Sequence, residues 1–293
     1  MKALVVEQAG PATTVQDLGR PGLVRLGVGE SGAVDRRSLR LANRLLGNAE
    51  DAAVLEVTLG GLAVRARGDL LVSVTGAVGP LSVDDRGVAG NSVVALPDAS
   101  VLTVGTPAGG LRSYLAVRGG IDVPPVLGSR STDVMSGLGP PPVEQGAVLS
   151  VGPSPGDWPV VDLAAVPAPP DDEVELRVVT GPRDDWFTPA AMESLLQASY
   201  EVTSDSNRVG LRLEGQPLER SRDDELPSEG LARGALQVPP SGKPVLFLAD
   251  HPVTGGYPVI GYVADTDVDL CAQLRPGQKL LLRETTARAR RRR

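Results

Sequence analysis

Short apolar runs separated by turn residues dominate the first half of the chain. Asp-Arg-Gly, Pro-Asp-Ala and Ala-Gly-Gly turns separate several of these runs, as expected in a β-barrel or β-sandwich. A shorter run at Ala3–Val6 predicts an opening or edge strand. The remaining predicted strands of this half are Val54–Leu59, Leu70–Val74, Ser92–Leu96, Val101–Val104 and Leu111–Val117.

One segment of the first half has a helical pattern instead. Leu39, Ala42 and Leu46 recur at positions i, i+3 and i+7, which predicts a helix with one buried face. Asp35 is suited to cap the N-terminus of this helix, and Gly47 is suited to the C′ position that follows its end.

The second half follows a proline-rich segment. Residues 153–173 contain six prolines and end in acidic residues, so they predict a semi-rigid linker that cannot pair within a central sheet. The strand Glu173–Thr180 comes next, and then a short helix with Thr188 as N-cap, Pro189 at N1, and Met192, Leu195 and Leu196 buried. A helical turn at Asp267–Leu274 and a last strand at Lys279–Arg283 complete the prediction, with domains at 1–165 and 166–287 and an Arg-rich tail at 288–293.

Composition supports a β-rich protein. Glycine (35 residues) and proline (26 residues) form about a fifth of the 293 residues, against a usual share of roughly 12%. Aromatic residues make up only 3%, so the core must be built from Val, Leu and Ala. This excess of turn residues without a repeat predicts many short strands rather than a helical bundle.

Charge and cysteine content exclude several classes of function. The net charge is −7 although five of the last six residues are arginine, so the body of the chain is strongly acidic and nucleic acid is not the expected partner. The Arg tail is expected to be solvated. A single histidine, His251, and a single cysteine, Cys271, exclude a Cys/His zinc site within the chain. We expect no metal, no membrane association and a cytoplasmic location, because neither a signal peptide nor a long apolar span is present.

Two nucleotide-binding patterns fail on context. Residues 27–32 match G-x-G-x-x-G, but the preceding strand would be very short and the half does not alternate strand and helix. Gly242-Lys243 is followed by Pro244, so it is not a P-loop. A Gly-rich turn leading into a helix is the preferred interpretation of the first, and a solvated turn lysine is that of the second.

The segment Gly230–Val263 is the most informative part of the sequence. It predicts two strands, Gly234–Val238 and Val245–Asp250, closed by a Thr-Gly-Gly-Tyr-Pro loop that exposes backbone N–H groups. Upstream, Arg208 follows the polar turn Ser204–Asn207, where an arginine is well placed to bind a carboxylate. A turn with a surface salt bridge is the alternative.

Several segments together resemble one family, the biotin-dependent carboxyltransferase-like proteins known as allophanate hydrolase subunit 2 or as the C subunit of 5-oxoprolinase. The similar stretches run in order along nearly the whole chain. They are TTVQDLGRPG (13–22), SGAVDRRSLRLANRLLGN (31–48), LEVTLGG (55–61), YLAVRGGIDVPPVLGSRST (114–132), SNRVGLRLEG (206–215), SEGLARGALQVPPSGKPVLFLAD (228–250) and TGGYPVIGYV (254–263).

The resemblance implies a mainly β protein of two β-barrel-like, cyclophilin-like domains with a few short helices. It implies a partner of the allophanate hydrolase subunit 1 type (the B subunit of 5-oxoprolinase), a possible third subunit and a small-molecule amide substrate. Three activities fit this fold: ATP-dependent opening of 5-oxoproline, transfer of CO₂ from carboxybiotin to urea or a related amide, and non-catalytic antagonism of a kinase-inhibitor protein. We expect the first, with ATP bound by or shared with a partner subunit; biotin belongs only to the second.

The similar motifs also supply candidate site residues. For catalysis they are Lys243, Asp250, Gly255 and Gly256, with the two glycines offering backbone N–H donors to an oxyanion. For substrate binding they are Asn207, Arg208, Gln237, Thr254 and Tyr257. The chain departs from the family pattern at His251-Pro252, where members commonly have Arg-Gln, so a permanent cation is missing there.

Overall fold

A computed structural model of the chain describes residues 2–285 and divides into two compact units, with the boundary between Pro169 and Pro170. The predicted Arg-rich tail at 288–293 lies outside the described residues. Strands dominate both units and three short α-helices accompany them, which confirms the predicted mainly β fold with few helices.

The first unit consists of two antiparallel sheets and one helix. One sheet has six strands in the order β11-β1-β4-β9-β6-β7, and the other has five in the order β2-β3-β10-β5-β8. The helix α1 spans Arg36–Leu45. The strands are β1 Ala3–Ala9, β2 Ala12–Gln16, β3 Val54–Thr58, β4 Leu62–Arg67, β5 Leu70–Gly76, β6 Leu81–Val83, β7 Arg86–Gly87, β8 Val94–Leu96, β9 Val101–Val104, β10 Arg112–Val117 and β11 Val148–Ser150.

The two sheets share one apolar core, and α1 covers the outer face of the five-stranded sheet. Leu4 and Val64 of the six-stranded sheet pack in the same cluster as Val57 and Val72 of the other sheet. On the opposite face of the five-stranded sheet, Leu39 of α1 packs in a second apolar cluster. Strand β10 is therefore buried along its whole length.

The predicted helix ends are correct because their signals are local. The Asp35 carboxylate accepts a hydrogen bond from the Ser38 N–H at 2.9 Å, as an N-cap does. Gly47 has φ +67°, the left-handed conformation that follows a helix end.

Residues of the predicted linker are held on the first unit. Arg118 donates to the Asp157 carbonyl at 2.8 Å, and its guanidinium lies 4.2 Å from the centre of the Trp158 ring. Ala164 donates to the Asn91 carbonyl at 2.8 Å. The proline-rich segment thus forms no regular strand, but it packs against this unit at least as far as Ala164.

The second unit is a closed seven-stranded barrel in the order β12-β19-β16-β17-β14-β13-β20. Helix α2 (Pro189–Gln197) begins at the Thr188 cap as predicted, with Leu195 fully buried and Met192 and Leu196 half-buried. Helix α3 spans Asp265–Cys271. The strands are β12 Val174–Thr180, β13 Ser199–Val202, β14 Gly210–Glu214, β15 Glu229–Gly230, β16 Ala235–Gln237, β17 Val245–Phe247, β18 Thr254–Gly255, β19 Val259–Val263 and β20 Lys279–Glu284.

Two short strands lie outside the barrel order. β15 and β18 pair with each other in a separate antiparallel ribbon. Leu231, which follows β15, packs with Phe247 and Val259 of the barrel strands in one apolar cluster. This cluster fixes the ribbon, and with it the Thr-Gly-Gly-Tyr loop, against the barrel wall.

Candidate functional site

The Arg208–Asp250 ion pair forms the buried part of the candidate site. Arg208 precedes β14 and Asp250 follows β17, and the antiparallel register Gly210↔Phe247 brings the two ends together. The Arg208 Nε donates to Asp250 Oδ2 at 2.9 Å and its Nη2 donates to Oδ1 at 3.0 Å. The side chains are 9% and 0% exposed. Because both carboxylate oxygens face the guanidinium, a substrate carboxylate would have to compete with Asp250 for Arg208.

Lys243 lies at the other end of the same pair of strands. Its Nζ is 2.7 Å from Glu214 Oε1 on the solvent side, where both side chains are about half exposed. The Arg212↔Val245 register places Glu214 opposite Lys243. Lys243 precedes β17 and Asp250 follows it, so the two residues lie at opposite ends of this strand. The structure therefore does not bring the candidate cation Lys243 to Asp250.

Gln237, Gly255 and Tyr257 come together at the ribbon. The Gln237 side chain, which is 6% exposed, donates from Nε2 to the Tyr257 carbonyl at 3.0 Å. A Cβ atom on Gly255 would lie only 2.5 Å from Gln237 Nε2 and 2.9 Å from Leu231 Cδ1. Glycine at 255 is thus required for the close approach of the Gln237 amide to this loop.

The register of the β15–β18 ribbon determines which acceptor the Gly255 N–H faces. Leu231 donates to the Val253 carbonyl at 2.9 Å, and the ribbon pairs Glu229 with Gly255. Because hydrogen-bonded pairs alternate along an antiparallel ladder, this register directs the Gly255 N–H to the Glu229 carbonyl. Gly256, the next residue, lies beyond the ribbon and is exposed.

The remaining candidate residues lie at the surface. Thr254 and Asn207 are exposed, and the Asn207 Oδ1 accepts from the Val209 N–H at 2.8 Å, which stabilises the turn before β14. Tyr257 is 46% exposed, and the Arg220 guanidinium lies 6.0 Å from its ring centre.

Two arginines beside the loop were not among the sequence candidates. Arg183 forms an ion pair with Glu229, with Nε 3.1 Å from Oε2 and a second bond from Nη2 to Oε1. This pairing lowers the pKa of Glu229 below its ordinary value of 4.5. Arg220 donates from Nη2 to the Val238 carbonyl at 2.6 Å. Both belong to charged or Gly-Pro segments that are typical of solvated turns, so the sequence carries no signal for them.

His251, at the position where the family commonly has arginine, makes a local contact. Its Nδ1 lies 2.8 Å from the Pro252 carbonyl, so Nδ1 carries the proton that is donated there. Its ring centre is 6.3 Å from that of Phe247, which belongs to the apolar cluster under the ribbon. His251 therefore packs against the loop base.

The family assignment follows from comparison with known proteins. The chain belongs to the family described as carboxyltransferase domain, subdomain A and B, which matches residues 26–284. This match confirms the resemblance carried by the sequence motifs. Among residues 2–285, the structure contains no helix long and apolar enough to cross a bilayer.

Curated relatives and a solved structure agree with this family. The chain is 38% identical to the C subunit of 5-oxoprolinase from Escherichia coli (strain K12), over 94% of this chain and 89% of the relative. It is 34% identical to the corresponding C subunit from Haemophilus influenzae, over 91% of this chain and 86% of the relative. The crystal structure of the urea amidolyase of K. lactis superposes with a TM-score of 0.91 at 30% identity, covering 96% of this chain but only 18% of that much longer one.

Proposed function

We propose that this protein is a subunit of an ATP-dependent 5-oxoprolinase-type complex that opens 5-oxoproline to glutamate and works only with partner subunits. The observation that carries this proposal is the 38% identity to the C subunit of a 5-oxoprolinase, which extends over almost the full length of both chains. The partners we propose are a protein of the allophanate hydrolase subunit 1 type (the B subunit of 5-oxoprolinase) and a third subunit, because a relative named as one lettered subunit implies further subunits in its complex.

The loop at the ribbon is the proposed contact with substrate. Opening a lactam places negative charge on its carbonyl oxygen, so N–H donors held in position at that oxygen favour the reaction. Gly256 is the proposed backbone donor, since the register directs the Gly255 N–H to Glu229. Thr254 and Tyr257, both exposed on the same loop, are proposed to hydrogen-bond the amide.

Gln237, Arg208 and Asp250 are proposed to position this loop and its base. Gln237 holds the Tyr257 carbonyl from below, and Gly255 leaves space for it. The buried Arg208–Asp250 pair fixes the chain just before residues 251–253, which lead into the ribbon. Asn207 holds the turn before Arg208. Lys243 is left out of the reaction because Glu214 holds its ammonium at the far end of β17.

ATP is assigned to a partner subunit in this proposal. A phosphate-binding loop needs a lysine directed at the phosphates and backbone N–H groups around them. In the Gly242-Lys243 turn the lysine is paired with Glu214, and Pro244 supplies no N–H. The Gly242-Lys243 turn therefore lacks the features of a binding site for the triphosphate of ATP.

A reconstituted complex provides the test. The chain is co-expressed with the proteins encoded next to it, the assembly is purified, and glutamate and ADP are measured with 5-oxoproline and ATP. We expect Gln237→Ala to lower turnover at least tenfold, whereas Arg283→Met, which removes a surface pair with Glu175, should leave it unchanged. An assembled complex that binds both substrates without forming glutamate or ADP would refute the proposal.

Carboxyl transfer from carboxybiotin to urea or a related amide is the second candidate. The family description and the TM-score of 0.91 to a urea amidolyase favour it. The same assembly, supplied with biotin carboxylase and biotin carrier protein, should then consume bicarbonate in a urea-dependent reaction. Bicarbonate consumption without glutamate formation would replace the first proposal by this one.

A further inference from the structure

Within residues 2–285, the buried cation Arg20 has no carboxylate partner. Its side chain is 2% exposed, and it donates from Nη2 to the Ser131 carbonyl at 2.5 Å. In the part of the chain that the structure describes, its Nε and Nη1 have no hydrogen-bonding partner. Burial of an ionised group without a counter-charge is strongly unfavourable, so an anion bound at this guanidinium would stabilise the folded chain.

The other buried arginines show that this is unusual for the molecule. Arg112 lies 3.6 Å from the Glu56 carboxylate, and Arg208 is paired with Asp250. Arg118 donates to three backbone carbonyls and stacks on a tryptophan. Arg20 alone among these four has neither a carboxylate within 4 Å nor a full set of acceptors in residues 2–285.

The nearby Asp17 carboxylate is already satisfied by other donors. It accepts hydrogen bonds from Ser129 Oγ at 2.7 Å and Ser131 Oγ at 2.5 Å. It also accepts from the backbone N–H groups of Gly19 at 2.7 Å and Arg130 at 2.6 Å. These four hydrogen bonds hold the Asp17 carboxylate in position. Within residues 2–285 it forms no ion pair with Arg20.

Two further buried polar atoms belong to Thr132, the neighbour of Ser131, and to Gln16, which contacts the Thr132 carbonyl. Gln16 donates from Nε2 to the Thr132 carbonyl at 2.9 Å, one residue from the carbonyl that Arg20 contacts. Within residues 2–285, the Gln16 Oε1 and the Thr132 Oγ1 are buried and have no partner. The two residues are 0% and 3% exposed. The group therefore offers N–H donors from a cation, one obligate acceptor from Gln16, and one hydroxyl that serves as either.

We propose that Gln16, Arg20 and Thr132 bind a small oxyanion that carries one O–H or N–H donor of its own. The negative oxygens accept from the Arg20 guanidinium, and the ligand hydrogen is donated to Gln16 Oε1. Bicarbonate, hydrogen phosphate and a carboxylate next to an N–H, as in 5-oxoproline, have this chemistry, whereas sulfate lacks the hydrogen. The site lies wholly within the first unit and does not rest on the proposed function.

The chain passes directly over this group. A Cβ on Gly139, which has φ +86°, would lie 2.0 Å from the Ser131 carbonyl oxygen and 3.3 Å from Arg20 Nη2. The preceding loop closes on Asp133, whose Oδ1 accepts from the Met135 N–H at 2.9 Å. The backbone at Gly139 thus covers the Arg20 guanidinium on the side of Nη2.

Thermal unfolding of the full chain at constant ionic strength tests the proposal. Bicarbonate, hydrogen phosphate and 5-oxoproline are titrated separately, with sulfate and chloride as comparisons. At least one of the first three should raise the Tm in a saturable way, and sulfate should do so at least tenfold more weakly. Absence of any saturable shift would overturn the proposal.

Three variants locate the effect. Arg20→Met should abolish the saturable shift, and Gln16→Glu should abolish it as well, because the new carboxylate excludes an anionic ligand. Arg67→Met, which removes an exposed arginine of the same unit, should keep the wild-type response. A shift retained within twofold in Arg20→Met would refute the assignment.

If the variants do not fold, a crystal structure of the wild-type chain with the anion provides a direct test. Crystals of the wild-type chain grown in bicarbonate or phosphate should show a tetrahedral or planar anion in contact with Arg20 and Gln16. Electron density for water alone at the Arg20 guanidinium, in crystals grown at saturating anion, would overturn the proposal.

Discussion

The Arg208 guanidinium and the Asp250 carboxylate meet as a two-point fork, with Nε–Oδ2 at 2.9 Å and Nη2–Oδ1 at 3.0 Å. The backbone supports the same approach, because the Asp250 N–H donates to the Arg208 carbonyl at 3.1 Å. Both side chains are almost completely withdrawn from solvent. Such a pair contributes little net stability as a unit, but the loss of one member leaves a buried charge without its partner.

Arg208→Met should therefore destabilise the protein by about 3–5 kcal/mol. The double variant Arg208→Met with Asp250→Asn should recover a large part of this loss, because the buried negative charge is removed together with its partner. Urea unfolding followed by circular dichroism measures both free energies. If the loss of stability in the double variant equals the sum of the losses in Arg208→Met and Asp250→Asn, the pair is not coupled.

A surface pair of the same unit is the control for this experiment. Arg283 and Glu175 are 49% and 62% exposed, and Arg283→Met should cost no more than about 1 kcal/mol. Equal costs for Arg208→Met and Arg283→Met would contradict the role that we give to burial.

The Arg183–Glu229 pair predicts a specific pH dependence. The hydrogen bond from Arg183 lowers the pKa of Glu229 below 4.5, so the pair stabilises the folded state above pH 4.5, and this contribution is lost as the pH falls through the lowered value. Arg183→Met should thus destabilise the folded state near neutral pH, and by less than the loss of a buried ion pair. Its difference from wild type should shrink towards zero in acid.

Urea unfolding of both proteins between pH 3 and pH 8 measures this difference. The two side chains are about a third exposed, so high salt should also reduce the effect near neutral pH. A difference that grows as the pH falls would contradict the assigned sign.

Local signals explain which elements were predictable from the sequence. The Asp35 cap, Gly47 and the apolar spacing between them determine α1 within a few residues, and Val101–Val104 is a strand with the predicted bounds. The strand Ala12–Gln16 was not predicted, because its polar residues are buried on both faces. The Gln16 side chain donates to the Thr132 carbonyl, 116 residues away, and no local sequence pattern predicts such a contact.

Strand register explains what the sequence could not say about the site. Arg208 and Asp250 were both candidates, but their pairing depends on how β14 and β17 align. The same alignment places Lys243 opposite Glu214. A shift by one residue would have changed every one of these contacts, so composition and motif cannot distinguish a binding lysine from a surface pair.

The single cysteine should be chemically inert in the folded protein. Cys271 is completely buried in α3, and burial raises the pKa of its thiol to about 12. Because the thiolate is the reactive form, a rise from the ordinary value of 9.0 lowers its population at pH 8 by about a thousandfold. A disulfide-exchange reagent should react with Cys271 only after unfolding. Rapid labelling under native conditions would show that α3 opens locally.

The two neighbouring glycines of the ribbon loop should respond differently to the same substitution. In Gly255→Ala the new Cβ meets Gln237 Nε2 at 2.5 Å and Leu231 Cδ1 at 2.9 Å, so the loop or the Gln237 amide must shift. We expect a loss of about 1–3 kcal/mol and a fall in the turnover of the assembled complex. In Gly256→Ala the nearest atom is the Leu226 carbonyl oxygen at 3.6 Å, an ordinary contact.

Gly256→Ala is the matched control for the stability of Gly255→Ala, because a Cβ at residue 256 makes no close contact. Its stability should stay within about 0.5 kcal/mol of wild type, since it is an exposed position away from packed neighbours. Urea unfolding and turnover of the complex are measured for both variants. Equal stability of the two variants would mean that Gln237 does not pack against residue 255, and the proposed support of the loop would then fail.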